Sequence, residues 1–216
     1  MIFELKVRKD KKIESFYKRA VKEIDNFFRI NWKINKPKIF LMKDREAINE
    51  LRGDKTEDWV VGWTRYLHIF ILDNKNYEKE SRHKYSDQEY FSLIKHELSH
   101  CFFQVYSGII DNPIKPKWLS EGVAIYLSGQ NKIKKKPIKF SEFLEFYNQG
   151  GRGIYKESGF FIEFLIKRYG KRRLLNLIKF LKKIKSEKDF NKKFKGIYGF
   201  NLNYKEINKR FNVNLR

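Results

Sequence analysis

Apolar side chains recur every three to four residues between 11 and 30, at Ile13, Phe16, Tyr17, Ala20, Val21, Ile24, Phe27 and Phe28. This spacing predicts an amphipathic helix. Lys38 to Met42 predicts a short strand centred on Ile39-Phe40-Leu41, and Asp44 is placed to cap a helix over 45–52 that Gly53 ends. Trp59 to Trp63 and then Tyr66 to Leu72 are rich in β-branched and aromatic residues and predict strands. Gly62 inside that stretch implies a bend, a bulge or a close backbone approach.

Beyond residue 85 the period changes to that of helices. Ser86 can cap a helix and Glu89 can reach back to it. Tyr90, Phe91, Ile94, Leu98, Cys101, Phe102 and Val105 then form a stripe that Gly108 ends, so a helix is expected over 87–107. Pro113 and Pro116 bracket a loop, and Pro116 suits the first turn of a helix running through Trp118, Leu119, Val123, Ala124 and Leu127 to Gly129. Two short runs, Lys132-Ile133-Lys134-Lys135-Lys136-Pro137 and Gly150-Gly151-Arg152-Gly153, read as exposed loops. Further helices are expected over 142–148 after Ser141, over 154–169 up to Gly170, and over 171–185, with a partly helical, basic final thirty residues. Strands first and helices afterwards give an α+β fold, a small mixed sheet followed by a helical bundle. One domain is expected over 1–216, with a helix-and-sheet region (1–85), a central helical pair (86–130) and a basic helical region (131–216).

Composition narrows the class. The chain is 41% hydrophobic and 17% aromatic, enough for a sizeable core, and 34% charged. It has no run near the roughly 20 apolar residues a spanning helix needs, so no membrane span is expected. Met1 to Lys12 lacks the apolar stretch of a secretory signal. The single cysteine, Cys101, excludes an internal disulfide and a multi-cysteine zinc site, and the expected compartment is the reducing cytoplasm. With 48 Lys+Arg against 26 Asp+Glu the net charge is +22. It is lopsided: residues 1–110 hold 22 basic and 17 acidic side chains (+5), and 111–216 hold 26 and 9 (+17). Such a field attracts an acidic partner or nucleic acid to the C-terminal half, or merely solvates the surface.

The residues with chemical potential are His96-Glu97-Leu98-Ser99-His100, in the middle of the 87–107 helix. Four-residue spacing puts both imidazoles on one face, where they can converge on one ion. Glu97 lies about 100° round the helix from His96, where it can reach a water without being a ligand. The bland alternative is a pair of surface histidines flanking a glutamate. A third ligand would come from a carboxylate or a cysteine. Cys101 points away from His100 and reads as a small core residue. Glu121 stands alone in the apolar helix Trp118-Leu119-Ser120-Glu121-Gly122-Val123-Ala124, so it is expected to be paired, protonated or metal-bound. A buried salt bridge to a lysine is the competing account.

The string His96-Glu97-x-x-His100, twenty residues, Glu121, together with Trp-Leu-x-Glu-Gly-x-Ala, resembles the gluzincin metallopeptidases and the small peptidase-MA-like proteins. The resemblance covers about residues 59–170. It implies a zincin-like core, Zn2+ held by His96, His100 and Glu121, and Glu97 as general base. It also implies a substrate-holding strand within Trp59 to Tyr66, with Gly62, Thr64 and Trp63 against the substrate. Tyr155, in Tyr155-Lys156-Glu157-Ser158-Gly159, is similar to the oxyanion-stabilising tyrosine of those families. The chain departs from them in two places: it has no Gly-x-Met-Glu-Asn anchor, and Ile125 stands where the thermolysin branch has an aspartate. The function implied is zinc-dependent hydrolysis of a peptide or protein substrate. The alternatives are a basic module binding nucleic acid or another polyanion, and a catalytically silent zincin or one self-inhibited by residues 196–216.

Overall fold

The computed structural model describes residues 2, 4–110, 116–147 and 151–212. Helix α1 (Lys11–Phe28) starts where the Asp10 carboxylate accepts the Ile13 N–H, and it ends with the last apolar position, Phe28, two residues short of the 11–30 stretch, because Arg29 turns left-handed (φ 57°). Strand β1 (Ile39–Met42) and helix α2 (Arg45–Arg52) follow, the latter capped by Asp44 and ended by left-handed Gly53. Next come the hairpin strands β2 (Gly62–Arg65) and β3 (His68–Leu72) and a single helical turn, α3 (Tyr77–Glu80), which the pattern did not predict. Tyr66 and Leu67, expected to begin a strand, instead form the two-residue turn between β2 and β3. Both have positive φ (50° and 58°), as a type I′ hairpin requires.

The sheet order is β1-β3-β2, with β1 parallel and β2 antiparallel to β3. The sheet is therefore mixed, and β2 is an outer strand. Arg45 fixes the segment leading into β2: its guanidinium donates to Thr56 Oγ1 and to the carbonyls of Glu57, Asp58, Val60 and Glu80, at 2.6–3.2 Å.

The helical part begins with α4 (Asp87–Ser107), whose Ser86 cap accepts the Glu89 N–H and whose end is left-handed Gly108. Helix α5 (Lys117–Ser128) begins directly after Pro116, which occupies the cap position. Then come α6 (Gly153–Tyr169), α7 (Lys171–Phe180), α8 (Glu187–Tyr198) and α9 (Tyr204–Asn212). The α7 helix is shorter than the apolar stripe over 171–185, since Leu181–Lys183 tightens to a 3-10 turn and Ile184 is extended. Buried side chains from the sheet and from the helices at both ends of the chain form one contiguous core, running from Ile13 to Phe211.

No helix forms over 142–147; residue 148 lies outside the described residues, as do Pro113 and Gly150. The backbone groups of this segment have other partners. The Ser141 and Glu142 N–H groups donate to the buried Glu157 carboxylate at 2.9 and 3.0 Å. The Glu145 and Phe146 carbonyls accept the Trp118 and Lys117 N–H groups at 3.1 and 2.9 Å. A non-helical strap thus satisfies the first donors of α5, which Pro116 cannot cap.

A candidate metal centre on two buried helices

Helix α4 packs against α1, α5, α7 and strands β2 and β3. It is therefore buried on most sides, and its polar residues are enclosed with it. Tyr90 donates to the Leu72 carbonyl of β3 (2.9 Å), and Ser92 donates to the Ser128 carbonyl at the end of α5 (2.7 Å). These bonds set the height of α4 between sheet and α5. His96 (8% exposed), Glu97 (6%) and, on α5, Glu121 (5%) are buried.

Helix α6 presses on α5 through two glycines. A Cβ on Gly122 would lie 2.8 Å from Ile162 Cγ1 and 2.9 Å from the Ser158 carbonyl oxygen, and one on Gly159 would lie 2.4 Å from Ile125 Cγ2. The two helices can approach this closely only because both positions lack a side chain. Glu121, next to Gly122, is held facing α4.

The three expected ligands converge. His96 Nε2 and His100 Nε2 are 3.2 Å apart, and Glu121 Oε2 is 3.4 Å from the first and 3.6 Å from the second. These residues form a group that could hold a metal ion. A tetrahedral ion with bonds of about 2.0–2.2 Å spaces its ligand atoms about 3.3–3.6 Å apart, close to the edges of this triangle. Among the described residues, Glu121 Oε2 is buried without a hydrogen-bond partner, so the oxygen aimed at the imidazoles has an unmet demand that a cation would fill.

The salt-bridge account of Glu121 is also realised, on the other oxygen: Lys117 Nζ lies 2.7 Å from Oε1, one turn back on α5. Burial pushes the Glu121 carboxyl up, but His100, Lys117 and the histidine contacts outweigh it and hold the group well below the usual carboxylate range. Burial likewise pulls the Lys117 ammonium down, and Glu121 more than restores it. Lys117 gave no sequence signal of its own, being one of many lysines. Its position four residues before Glu121 was the available clue.

Outside the triangle, His100 Nδ1 is 3.1 Å from Ser120 Oγ, a contact that can fix the ring's orientation. His96 Nδ1 has no partner among the described residues. Cys101 is fully buried and belongs to the core.

No family model matches the chain, and neither a curated protein nor a solved structure does.

Strand β2 lies beside Glu97. Alternation along the strand turns Gly62 and Thr64 toward α4. A Cβ on Gly62 would sit 3.3 Å from Glu97 Cγ and 3.1 Å from Leu93 Cδ1, so of the three conformations the sequence allowed, the glycine serves close approach. Thr64 Oγ1 is 3.0 Å from Glu97 Oε2 and 2.9 Å from the Glu97 carbonyl oxygen. Trp63 takes the opposite face. Its ring stacks on Phe70 (5.1 Å, 8°), which stacks on Phe40 (4.9 Å, 14°). Its side chain is thus on the side of the sheet away from Glu97, and only its backbone shares the Glu97 edge.

Tyr155, in the first turn of α6, is half-buried and packs edge-on against Trp59 (6.0 Å). Burial first, then the charge of Glu121, push its hydroxyl up to about 12; Lys117 pulls it down, and Glu97 adds a smaller upward push. It lies within the field of the same carboxylates as the histidines and remains a proton donor at neutral pH.

Proposed function

We propose that this protein is a zinc-dependent metallopeptidase with a zincin-like core. The observation that carries the proposal is the triangle of two imidazole nitrogens and one carboxylate oxygen with edges of 3.2, 3.4 and 3.6 Å. An octahedral ion with bonds near 2.1 Å would space the same atoms about 3.0 Å apart. Edges of this length and a donor set of two imidazoles and one carboxylate suit zinc better than a hard cation that prefers oxygen ligands.

When bound, zinc would supply the Lewis acidity that makes water nucleophilic near neutral pH and polarises a carbonyl. The chain supplies the rest. The Glu97 carboxylate takes the proton of the attacking water and returns it to the leaving nitrogen. Thr64 holds Glu97 Oε2 and so orients that carboxylate. Tyr155 donates a hydrogen bond from its hydroxyl to the substrate oxygen as negative charge develops there, and keeps its proton. The outer edge of β2 offers backbone groups to an extended peptide, which would bind as a further strand.

The test is metal content beside turnover. Wild type should bind one zinc per chain and cleave casein or a peptide library. Glu97→Gln should keep the zinc and lose cleavage, whereas Glu121→Ala should lose stoichiometric zinc. Cleavage retained by Glu97→Gln above contaminant level, or unchanged zinc in Glu121→Ala, would sink the proposal.

A further inference from the structure

The lysine run after α5 does not behave uniformly. Lys136 turns its ammonium to the Phe211 ring, 5.1 Å from the centroid, and Lys132 lies along the end of α5, its Cδ 4.0 Å from where a Gly129 Cβ would be. Lys134 instead reaches the metal centre's side of the molecule, where its Nζ donates to the Tyr155 carbonyl at 2.8 Å. Lys134 is an exposed residue, yet the protein packed around its ammonium, only partly opposed by Glu121, lowers its pKa. The same ammonium acts on His96.

Among the described residues no carboxylate lies at ion-pair distance from Lys134. The nearby carboxylates have other work: Glu121 Oε1 is held by Lys117, Glu121 Oε2 faces the histidines, and Glu97 Oε2 is held by Thr64. An ammonium anchored on the Tyr155 carbonyl, with no carboxylate beside it among the described residues, has donors left over, and an incoming carboxylate would take them in a charge-assisted bond. A second donor, the Trp59 indole N–H, is buried without a partner among the described residues and belongs to the ring packed on Tyr155.

We infer that the Lys134 ammonium, held on the Tyr155 carbonyl, is the recognition point for a carboxylate of the substrate, so that the site takes acidic peptides. The inference rests on the peptidase reading and adds a substrate class to it. The carboxylate can be an aspartate or glutamate side chain or a peptide C-terminus, since the two present the same group. Lys134 is on this view a specificity-determining residue and takes no part in bond cleavage.

The test uses fluorescent decapeptides, neutral ones with glutamine and matched ones with glutamate at successive positions, each as free acid and as amide. Binding is read by anisotropy with the zinc-loaded Glu97→Gln chain and again after metal removal. One glutamate position, or the free acid over the amide, should bind about tenfold tighter in both forms, and which of the two does so identifies the source of the carboxylate. Lys134→Met should erase that preference, while Lys192→Met, on the exposed face of α8, should keep it. Far-UV circular dichroism verifies that both variants fold. A preference that survives Lys134→Met, or one that falls equally in Lys192→Met because it follows the overall +22 charge as nucleic acid binding would, overturns the inference. Cleavage separates it from the reading beneath it. If wild type cleaves no peptide while the Lys134-dependent preference persists, the peptidase proposal fails alone. If wild type and Lys134→Met cleave neutral and acidic peptides alike, only the carboxylate assignment fails.

Discussion

Glu121 answers to two demands at once, and its two oxygens divide them. Oε1 takes the Lys117 ammonium and Oε2 is left for the imidazoles. A buried carboxylate with one paired and one unpaired oxygen is costly unless a further cation completes it. On the proposed reading, Thr64 and Tyr155 have the complementary task of serving the reaction without touching the ion. Thr64→Val removes the hydroxyl on Glu97 Oε2, and Tyr155→Phe removes a donor. Each should lower turnover by roughly ten- to a thousandfold with zinc content unchanged, measured as kcat beside metal analysis. Zinc loss in either variant would instead make that residue part of the metal-holding structure. Glu97, His96 and His100 were legible from their spacing on one helix. The role of Thr64 on Glu97 was not, because a strand residue thirty-three positions away becomes its neighbour only through packing.

At the scale of elements, the decisive contact is α5 on α6. Gly122 and Gly159 stood in the motif strings beside Glu121 and Ser158, but their spacing could not say what they contact. In the fold they are the points of nearest approach. Gly122→Ala would drive its methyl into the Ser158 carbonyl, a backbone group that cannot rotate aside. It should cost about 1–3 kcal/mol of stability and weaken zinc binding by shifting Glu121, read by denaturant melts and by metal titration. Helix α1 depends on its cap: Asp10 accepts the Ile13 N–H and pairs with Arg8 at 2.7 Å. The Arg8 contact, followed by the Ile13 bond, lowers the Asp10 pKa. A carboxylate depressed in the folded state contributes stability above its unfolded pKa, near 3.9, and that contribution is lost as pH falls through the lower folded value. Asp10→Asn keeps a capping oxygen and should flatten this part of the acid transition. Asp10→Ala should cost about 1 kcal/mol at neutral pH. Unfolding curves at pH 7 and below pH 4 distinguish the two.

Across the whole molecule, the C-terminal helices brace the centre from a distance. Asn208 of α9 exchanges two hydrogen bonds with the Phe140 backbone (2.7 and 2.8 Å), and the Tyr204 hydroxyl accepts the Leu144 N–H at 2.8 Å. These contacts hold the strap that satisfies the start of α5, the helix carrying Glu121. Tyr198, Phe200, Ile207 and Phe211 are buried in the shared core. Truncation after Lys195 should therefore abolish cooperative unfolding and activity together, since several buried aromatic and aliphatic side chains at about 2–5 kcal/mol each exceed the usual 5–15 kcal/mol of net stability. A folded, more active product would instead support self-inhibition by residues 196–216. Among the described residues no helix is long and apolar enough to cross a membrane. Basic side chains dominate the surface of 167–195, with thirteen lysines and arginines against Glu187 and Asp189.

Local chemistry was sufficient wherever an element is specified by its own residues. The caps at Asp44 and Ser86, the glycine stops at 53, 108, 129 and 170, the apolar periods and the His96–His100 spacing all act within a few residues, so they can be read in order along the chain. The segment over 142–147 could not be read that way. It has a helical apolar pattern, but the Glu142 and Leu144 donors are taken by Glu157 and Tyr204 and the Glu145 and Phe146 carbonyls by α5, so pairing with distant groups outcompetes its own helix. The same holds for the division of Glu121's two oxygens, the closeness of Gly62 to Glu97 and the turn of Lys134 toward Tyr155. Each depends on which surfaces meet, and that is settled by the packing of the sheet, α4, α5 and α6 into one core.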